Sequence, residues 1–217
     1  MAIHKIYLRE HSDIQAYQSL VKHFADTSQQ PGIYTESLAP KQAEQADQQI
    51  DVQALHQDWA ALRDTHEFFS LLKTHGVSRV QALRLAQPKF VQQVHCADIL
   101  RALTAAAARE IPLMVFVGNH GMLQIHSGPI QKVWYARPWL NVLDASFNLH
   151  LRMDHIDSAW IVKKPTVDGL VTSFEIFDAQ GDAIAMLFGL RKPGQQELIA
   201  WRGLLDEIQE TQQACAA

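Results

Sequence analysis

Seven short strand-like segments follow one another in the second half of the chain, and they constrain its fold more than any other feature. Each segment is rich in large apolar or β-branched residues and is bounded by Gly, Pro, Asn or Asp, which favour turns. The segments are residues 113–117, 123–126, 131–135, 149–153, 158–163, 171–177 and 183–190. Strands joined by short turns pair as antiparallel neighbours, so we predict a large antiparallel β-sheet.

Helical patterns lie on both sides of this run of strands. Residues 95–109 are rich in Ala and Leu, which favour helix, and residues 198–212 have the spacing of a closing helix. Helices before and after a run of strands are typical of an α+β fold, in which the helices pack on or beside the sheet.

The first candidate functional residue lies in the stretch 51–86. Asp51 can cap the start of a helix and Gly76 can end it, so we predict one helix of about six turns. Its residues at steps of three or four fall on one stripe: Leu55, Trp59, Leu62, His66 and Phe69. The pattern therefore predicts a titratable imidazole, that of His66, on an otherwise apolar helix face.

Two interpretations of His66 remain open from the residues alone. The ring could be part of the core and bond to a backbone carbonyl or water, or it could be a ligand. Ser78 can cap a second helix, which places Arg79 on the turn after the histidine helix. Together, His66 and Arg79 would suit a ligand that carries both a metal and an acid group.

Charge and composition exclude several classes of function. The net charge of −4 and the absence of a run of Lys or Arg argue against nucleic-acid binding. No stretch reaches the roughly 20 apolar residues of a membrane span, and the first residues lack the features of a signal peptide, so we expect a cytoplasmic protein without membrane insertion. Cys96 and Cys215 are far apart and are expected to be free thiols.

The N-terminal part indicates a second, incomplete unit. We predict a strand at 2–8, an amphipathic helix at 13–24 and a loose polar connector at 25–50. Residues 183–205 resemble residues 2–21, since both begin with Ala-Ile, continue as an apolar strand to Leu-Arg, and end in a helix. We therefore interpret residues 1–24 as the terminal strand and helix of a truncated first module, 51–212 as a complete module, and 213–217 as a tail.

Several longer motifs connect the chain with a known family. They are DTHEFF (64–69), GVSR (76–79), VGN (117–119), QIHSGP (124–129), WLNVLD (139–144), FNLHL (147–151), KPTVDG (164–169) and RKPG (191–194). Through these motifs the chain resembles the bacterial haem-trafficking and haem-degrading family of the HemS/ChuS type, the hemin-degrading factors, whose members contain two tandem α+β modules.

The resemblance implies a haem site in the complete module. Haem, iron protoporphyrin IX, would be the ligand or substrate, with His66 as axial iron ligand. Arg79 and Lys164 match basic positions expected to pair with the haem propionates. The implied function is that of a cytoplasmic haem-binding protein of haem and iron uptake. The resemblance also implies a distal arginine in the first module of full-length relatives, which we expect this chain to lack, so it implies haem binding more directly than catalysis.

Three hypotheses follow. The protein could carry haem, it could cleave haem in an oxygenase-like reaction, or it could be a non-catalytic interaction module that has lost productive haem binding and dimerises through an edge strand at 2–8. The expected partners are haem, a second copy of the chain, a haem-uptake transporter and a downstream haem acceptor.

Overall fold

The computed structural model describes residues 7–29, 32, 37, 39–41, 43–119, 121–192 and 194–216, the last five of these by their backbone only. The chain divides into two compact units, Met1–Gln42 and Ala43–Ala217.

The smaller unit contains helix α1 (Ile14–Phe24). Asp13 caps it, since its Oδ1 accepts a hydrogen bond from the N–H of Ala16 at 2.8 Å. The predicted helix is confirmed, but the expectation that its apolar residues face inward is wrong, because no residue of α1 is buried. The predicted strand at 2–8 lies almost entirely outside the described residues, and Tyr7 and Leu8 have no regular structure.

The main sheet of the larger unit has six antiparallel strands among the described residues. They are β1 (Val91–Val94), β2 (Leu113–Asn119), β3 (Met122–Gly128), β7 (Ser158–Thr166), β8 (Gly169–Phe177) and β9 (Ala183–Gly189). In space the order is β1-β7-β8-β9-β2-β3. The sheet is therefore completed where β9, late in the chain, pairs with β2 of the earlier hairpin β2–β3. The predicted large antiparallel sheet is confirmed.

Three further strands form a separate small sheet, β4 (Val133–Ala136), β5 (Trp139–Leu143) and β6 (Asn148–Arg152). Two of the predicted strands, at 131–135 and 149–153, belong to this small sheet and not to the main one. Alternation of apolar residues shows which residues face a core but not which strands pair. Strands β1 and β5 were not predicted. In β1, two glutamines occupy the centre of the four residues, so the apolar pattern of a strand is absent there.

Five helices accompany the two sheets within the described part of the larger unit. They are α2 (Val52–Ala60), α3 (Glu67–His75), α4 (Arg79–Leu85), α5 (Asp98–Ala108) and α6 (Ile199–Ala216). Helices α5 and α6 confirm the two predicted flanking helices. Because α6 continues to Ala216, most of the predicted tail at 213–217 is helical.

The predicted six-turn helix from Asp51 is wrong, because the chain leaves the helix after Ala60 and starts a new one at Glu67. The carboxylate of Glu67 accepts hydrogen bonds from the backbone N–H groups of Arg63, at 2.8 Å, and Asp64, at 3.2 Å. Side chains that bond the nearby backbone in this way compete with a continuous helix. The residues between α2 and α3 therefore form a loop, and His66 lies at its end.

The end of the predicted connector packs on α4 instead of remaining loose. Gln81 Nε2 donates to the backbone oxygen of Gln45, at 2.7 Å, and to Asp47 Oδ1, at 2.9 Å. Arg84 also pairs with Asp47, at 2.8 Å. The predicted connector at 25–50 therefore ends earlier, since residues from Ala43 onward belong to the larger unit. Polar contacts hold this stretch in place, and its lack of large apolar residues gives no sign of them.

Different elements pack on the two faces of the main sheet. One face packs on α5, α6 and the small sheet, and Ile161, Phe174 and Leu187 point into that core. The opposite face packs on α2, α3 and α4 through a second core that includes Val162 and Phe177.

This second core covers only the part of the face formed by β1, β7 and β8. On β9, β2 and β3 the same face is more open. Its half-buried residues are Met114, Phe116, Met186 and Phe188. Farther out on β3, Leu123 is 55% exposed and Ile125 is 53% exposed. The boundary between the covered and open parts of this face forms a cleft.

Candidate functional site

The cleft at this boundary has a volume of about 320 Å³. Its walls come from α3 and the loop before it, from α4, from strands β2, β3, β7, β8 and β9, and from the residues after β9. The lining residues are Thr65, His66, Phe69, Arg79, Met114, Phe116, Leu123, Lys164, Val171, Met186, Phe188 and Arg191. The structure thus brings together the three residues that the sequence singled out, His66, Arg79 and Lys164.

His66 lies at the N-terminal end of α3, and its side chain is 89% exposed. The prediction that it lies on an apolar helix face is therefore wrong, and so is the alternative of a histidine inside the core. Two hydrogen bonds hold the residue to Asp64 Oδ1, one from the backbone N–H at 2.7 Å and one from the ring Nδ1 at 2.6 Å. The backbone bond is the largest of the effects that lower the pKa of Asp64.

These bonds determine which ring nitrogen of His66 is available. An ionised carboxylate can only accept a hydrogen bond, so Nδ1 must carry the hydrogen that is shared with Asp64. In the neutral ring the lone pair then lies on Nε2. A carboxylate behind a histidine, fixing its tautomer and orientation, is the usual outer partner of a metal-binding imidazole.

The open part of the sheet supplies an apolar floor beside His66. Met114 and Phe116 on β2 lie opposite Phe188 and Met186 on β9. The rings of Phe116 and Phe188 meet edge to face, with their centroids 5.2 Å apart. Aromatic rings and polarizable thioethers pack well against a flat conjugated ligand.

A buried group of charges lies at the inner end of the cleft. Glu175 on β8 is 0% exposed and receives a forked pair of hydrogen bonds from Arg79, with Nε to Oε2 and Nη2 to Oε1 both at 2.8 Å. Lys164 Nζ and Ser173 Oγ also donate to Oε1, at 2.8 and 2.7 Å. The predicted basic pair is therefore present in the cleft, but both side chains already share one carboxylate.

Phe68 links this charged group to the histidine. Its buried ring belongs to α3, two residues after His66, and lies under both cations. The Phe68 ring centroid is 5.0 Å from Arg79 Cζ and 4.7 Å from Lys164 Nζ. One short helix thus presents the imidazole at its tip and an aromatic ring beneath the two cations.

Burial and charge act on this group in opposite directions. The pKa of Lys164 is lowered to about 8, because burial lowers it more than the Glu175 carboxylate raises it, and the Arg79 cation adds to the lowering. Burial by itself would raise the pKa of Glu175, but the Arg79 and Lys164 cations outweigh it and hold the pKa well below its usual value. At neutral pH the group therefore contains two cations and one anion.

Sequence reasoning missed Arg191, which also lines the cleft. It follows β9 in the RKPG motif, where it resembles an ordinary turn residue. Its Nη2 is 3.7 Å from Asp168 Oδ2, and its buried Nη1 has no hydrogen-bond partner in the described part of the chain. A buried guanidinium nitrogen without a partner is costly, so an anionic ligand group in the cleft would compensate it.

The described residues contain no group of three or more His, Cys, Asp or Glu side chains that could hold a bare metal ion. The cleft offers one imidazole, an apolar floor and several cations. This set suits a metal that arrives inside an organic ring with acidic substituents, where the ring supplies most of the ligands.

Comparison with known proteins agrees with this chemistry. Residues 76–208 match the family model for the haemin-degrading HemS/ChuX domain, which covers more than half of the chain. The chain belongs to this family. The resemblance inferred from the motifs and the α+β fold are thereby confirmed.

Similar proteins extend the match to nearly the whole chain. Hemin transport protein HemS of Yersinia enterocolitica is 39% identical over 210 residues, which are 95% of this chain and 58% of the relative. Holo-PhuS, a heme-binding protein from Pseudomonas aeruginosa, has 43% identity and a TM-score of 0.87, covering 93% of this chain and 58% of that chain. ChuS, described as an E. coli heme oxygenase, has 34% identity and a TM-score of 0.78, covering 93% and 59%. The chain thus spans about three fifths of the length of these relatives.

In the part of the chain that the structure describes, no helix is both long and apolar enough to cross a membrane.

Proposed function

We propose that this protein binds haem in the cleft, with His66 Nε2 as the axial ligand of the iron. The observation that carries the proposal is the exposed imidazole of His66 at the cleft, held through Nδ1 by Asp64. Haem would supply an iron centre with a free axial position, for which a neutral imidazole nitrogen is a suitable ligand.

The remaining cleft residues support a haem ligand of this kind. Met114, Phe116 and Phe188 offer an apolar surface that would exclude water from one part of the porphyrin. Arg79, Lys164 and Arg191 offer N–H donors for its two propionates. The net positive charge of the inner end, with two cations around Glu175, attracts a ligand that carries carboxylates.

A hemin titration tests the axial ligand. Wild-type protein should give a shifted Soret band that reports imidazole coordination, and His66→Ala should lose this shift and bind hemin at least about tenfold more weakly. The matched control is His155→Ala, an exposed histidine outside the cleft, which should bind hemin as the wild type does. Unchanged spectra in the His66 variant would remove this residue from the site.

Within haem uptake we propose a carrier that works in the cytoplasm and receives haem from an uptake transporter or delivers it to an acceptor. The open side of the cleft and the exposed His66 suit transfer of a ligand, whereas oxygen chemistry on haem depends on a controlled distal pocket. Incubation of the haem complex with ascorbate, oxygen and catalase should leave the Soret band intact. Formation of an open tetrapyrrole under these conditions would instead establish a haem-cleaving enzyme.

A second candidate function is self-association, which the open edge of the main sheet favours. Strand β3 is an end strand of the sheet in the described residues, and its Leu123 and Ile125 are exposed. Another copy could pair along this edge and cover the open part of the cleft. Light scattering with and without hemin distinguishes a dimer from a monomer, and a monomer under both conditions would remove this candidate.

A further inference from the structure

Glu175 has an unusual position for a carboxylate. It lies on β8 between the buried residues Phe174 and Ile176, and its own side chain is completely buried. On the neighbouring strands it faces Trp160 of β7 and Met186 of β9. A buried charge is costly unless it is paired and hydrogen-bonded, so the neighbours of Glu175 have to compensate it closely.

Four hydrogen bonds provide that compensation, two from Arg79, one from Lys164 and one from Ser173. Three of the four come from cations that line the cleft. Only Ser173 belongs to the same strand as Glu175. The carboxylate thus holds together side chains from α4 and β7 that would otherwise repel each other.

The cations retain donors after these bonds are made. Arg79 uses Nε and Nη2, which leaves both N–H bonds of Nη1. Lys164 uses one of three N–H bonds on Nζ for Glu175, and only 3% of its side chain is exposed. The group therefore has one excess positive charge and several unused donors, which is what a carboxylate receptor requires.

We propose that Glu175 is a positioning residue that makes the cleft selective for ligands with free carboxylates, because it holds Arg79 and Lys164 charged and in fixed positions. The inference rests on the proposed haem function and deepens it, since it names the residue that organises the receptor for the acid groups. Glu175 itself does not touch the ligand.

The substitution Glu175→Gln tests the inference with little change of shape. An amide cannot balance two cations, so Lys164 next to Arg79 should lose its proton near neutral pH, and the fork that fixes Arg79 should be lost. We expect hemin to bind about tenfold more weakly, the effect of one charge-assisted contact. Iron protoporphyrin IX dimethyl ester, which lacks free carboxylates, should bind both proteins equally within about twofold.

The ratio of the two affinities is the decisive measurement, since a purely structural role would weaken acid and ester alike. Equal loss for both ligands, or no loss for either, would overturn the inference. Failure of the wild-type protein to bind hemin would instead refute the proposed function, so the two failures are distinguishable.

Two further variants complete the test. One is a control at another buried glutamate, and the other replaces Glu175→Gln if that variant does not fold. Glu197→Gln changes another buried glutamate, which is paired with Arg202 and Thr172 and does not line the cleft. It should leave the acid-to-ester ratio as in the wild type, and a change of this ratio would contradict the inference. If Glu175→Gln does not fold, Lys164→Met removes one of the positioned cations and should reduce the affinity for hemin but not for the ester. Equal effects on both ligands in this variant would also overturn the inference.

Discussion

Replacing Lys164 by methionine should change how the stability of the protein depends on pH. Burial lowers the pKa of this lysine from 10.5 to about 8 in the folded chain. A base with a lower pKa in the folded state binds fewer protons there than in the unfolded chain between these two values. The free energy of unfolding therefore rises as pH increases from 8 to 10.5, and this contribution is lost again as pH falls toward 8.

The size of the effect follows from the same two values. At 1.36 kcal/mol for each pH unit, titration near 8 instead of 10.5 corresponds to about 3 kcal/mol. Methionine cannot titrate, so Lys164→Met should lack this rise. Glu175 retains its forked bonds from Arg79 in the variant, which keeps the buried carboxylate paired.

Urea unfolding followed by tryptophan fluorescence, in steps from pH 7.5 to 10.5, measures the effect. The difference in unfolding free energy between wild type and Lys164→Met should change by about 3 kcal/mol across this range. Lys132→Met, at an exposed lysine, is the matched control and should follow the wild type. A difference that stays constant within about 0.5 kcal/mol would show that Lys164 titrates as an ordinary lysine, and would refute the account of the charged group.

Other substitutions test Asp64, which bonds to the ring of His66, and the packing of α6. In Asp64→Asn the carboxylate charge behind His66 is lost, so the haem complex should show a reduction potential higher by roughly 50 mV, the equivalent of about 1 kcal/mol in a one-electron couple. An unchanged potential would mean that Asp64 does not act on the iron ligand. Gly189→Ala would place a Cβ 2.8 Å from the Cβ of Trp201 and should destabilise the fold by about 1–3 kcal/mol in urea unfolding. Its control, Gly203→Ala in α6, meets nothing within 4 Å and should stabilise by about 0.5–1 kcal/mol; the same loss in both variants would contradict the packing argument.

Local chemistry made several element boundaries predictable. Asp51 accepts a hydrogen bond from the N–H of Ala54 at 2.9 Å, and Ser78 Oγ accepts one from Gln81 at 3.0 Å, so both predicted N-caps are confirmed. Gly76 ends α3 in the left-handed conformation, with φ of 61°. Strand pairing was not predictable in the same way, because β2 lies beside β9, about seventy residues later in the chain. Neither turn residues nor alternation carries information about a partner so far away.

The candidate site was likewise predictable from the sequence only in part. Its cations and its histidine were found through motifs, but the carboxylate that organises them was not. In the alternating pattern of β8, Glu175 is indistinguishable from a polar residue on a solvent face. Only the position of α4 over this face shows that the residue is buried and that Arg79 pairs with it. A charged residue that is buried and paired only through a neighbouring element therefore cannot be recognised from the sequence around it.

The apolar stripe that contains His66 has two physical causes that sequence periodicity cannot separate. Leu55, Trp59 and Leu62 are buried in the core, as an amphipathic pattern predicts. Phe69 continues the same spacing but is 63% exposed and lines the cleft beside His66. A large apolar side chain gains little by facing water, so its exposure at a cleft indicates a surface that a ligand or partner covers. The stripe thus combines residues that stabilise the fold with residues that serve the site. The change from one group to the other falls in the loop between α2 and α3, which contains Leu62 and ends at His66.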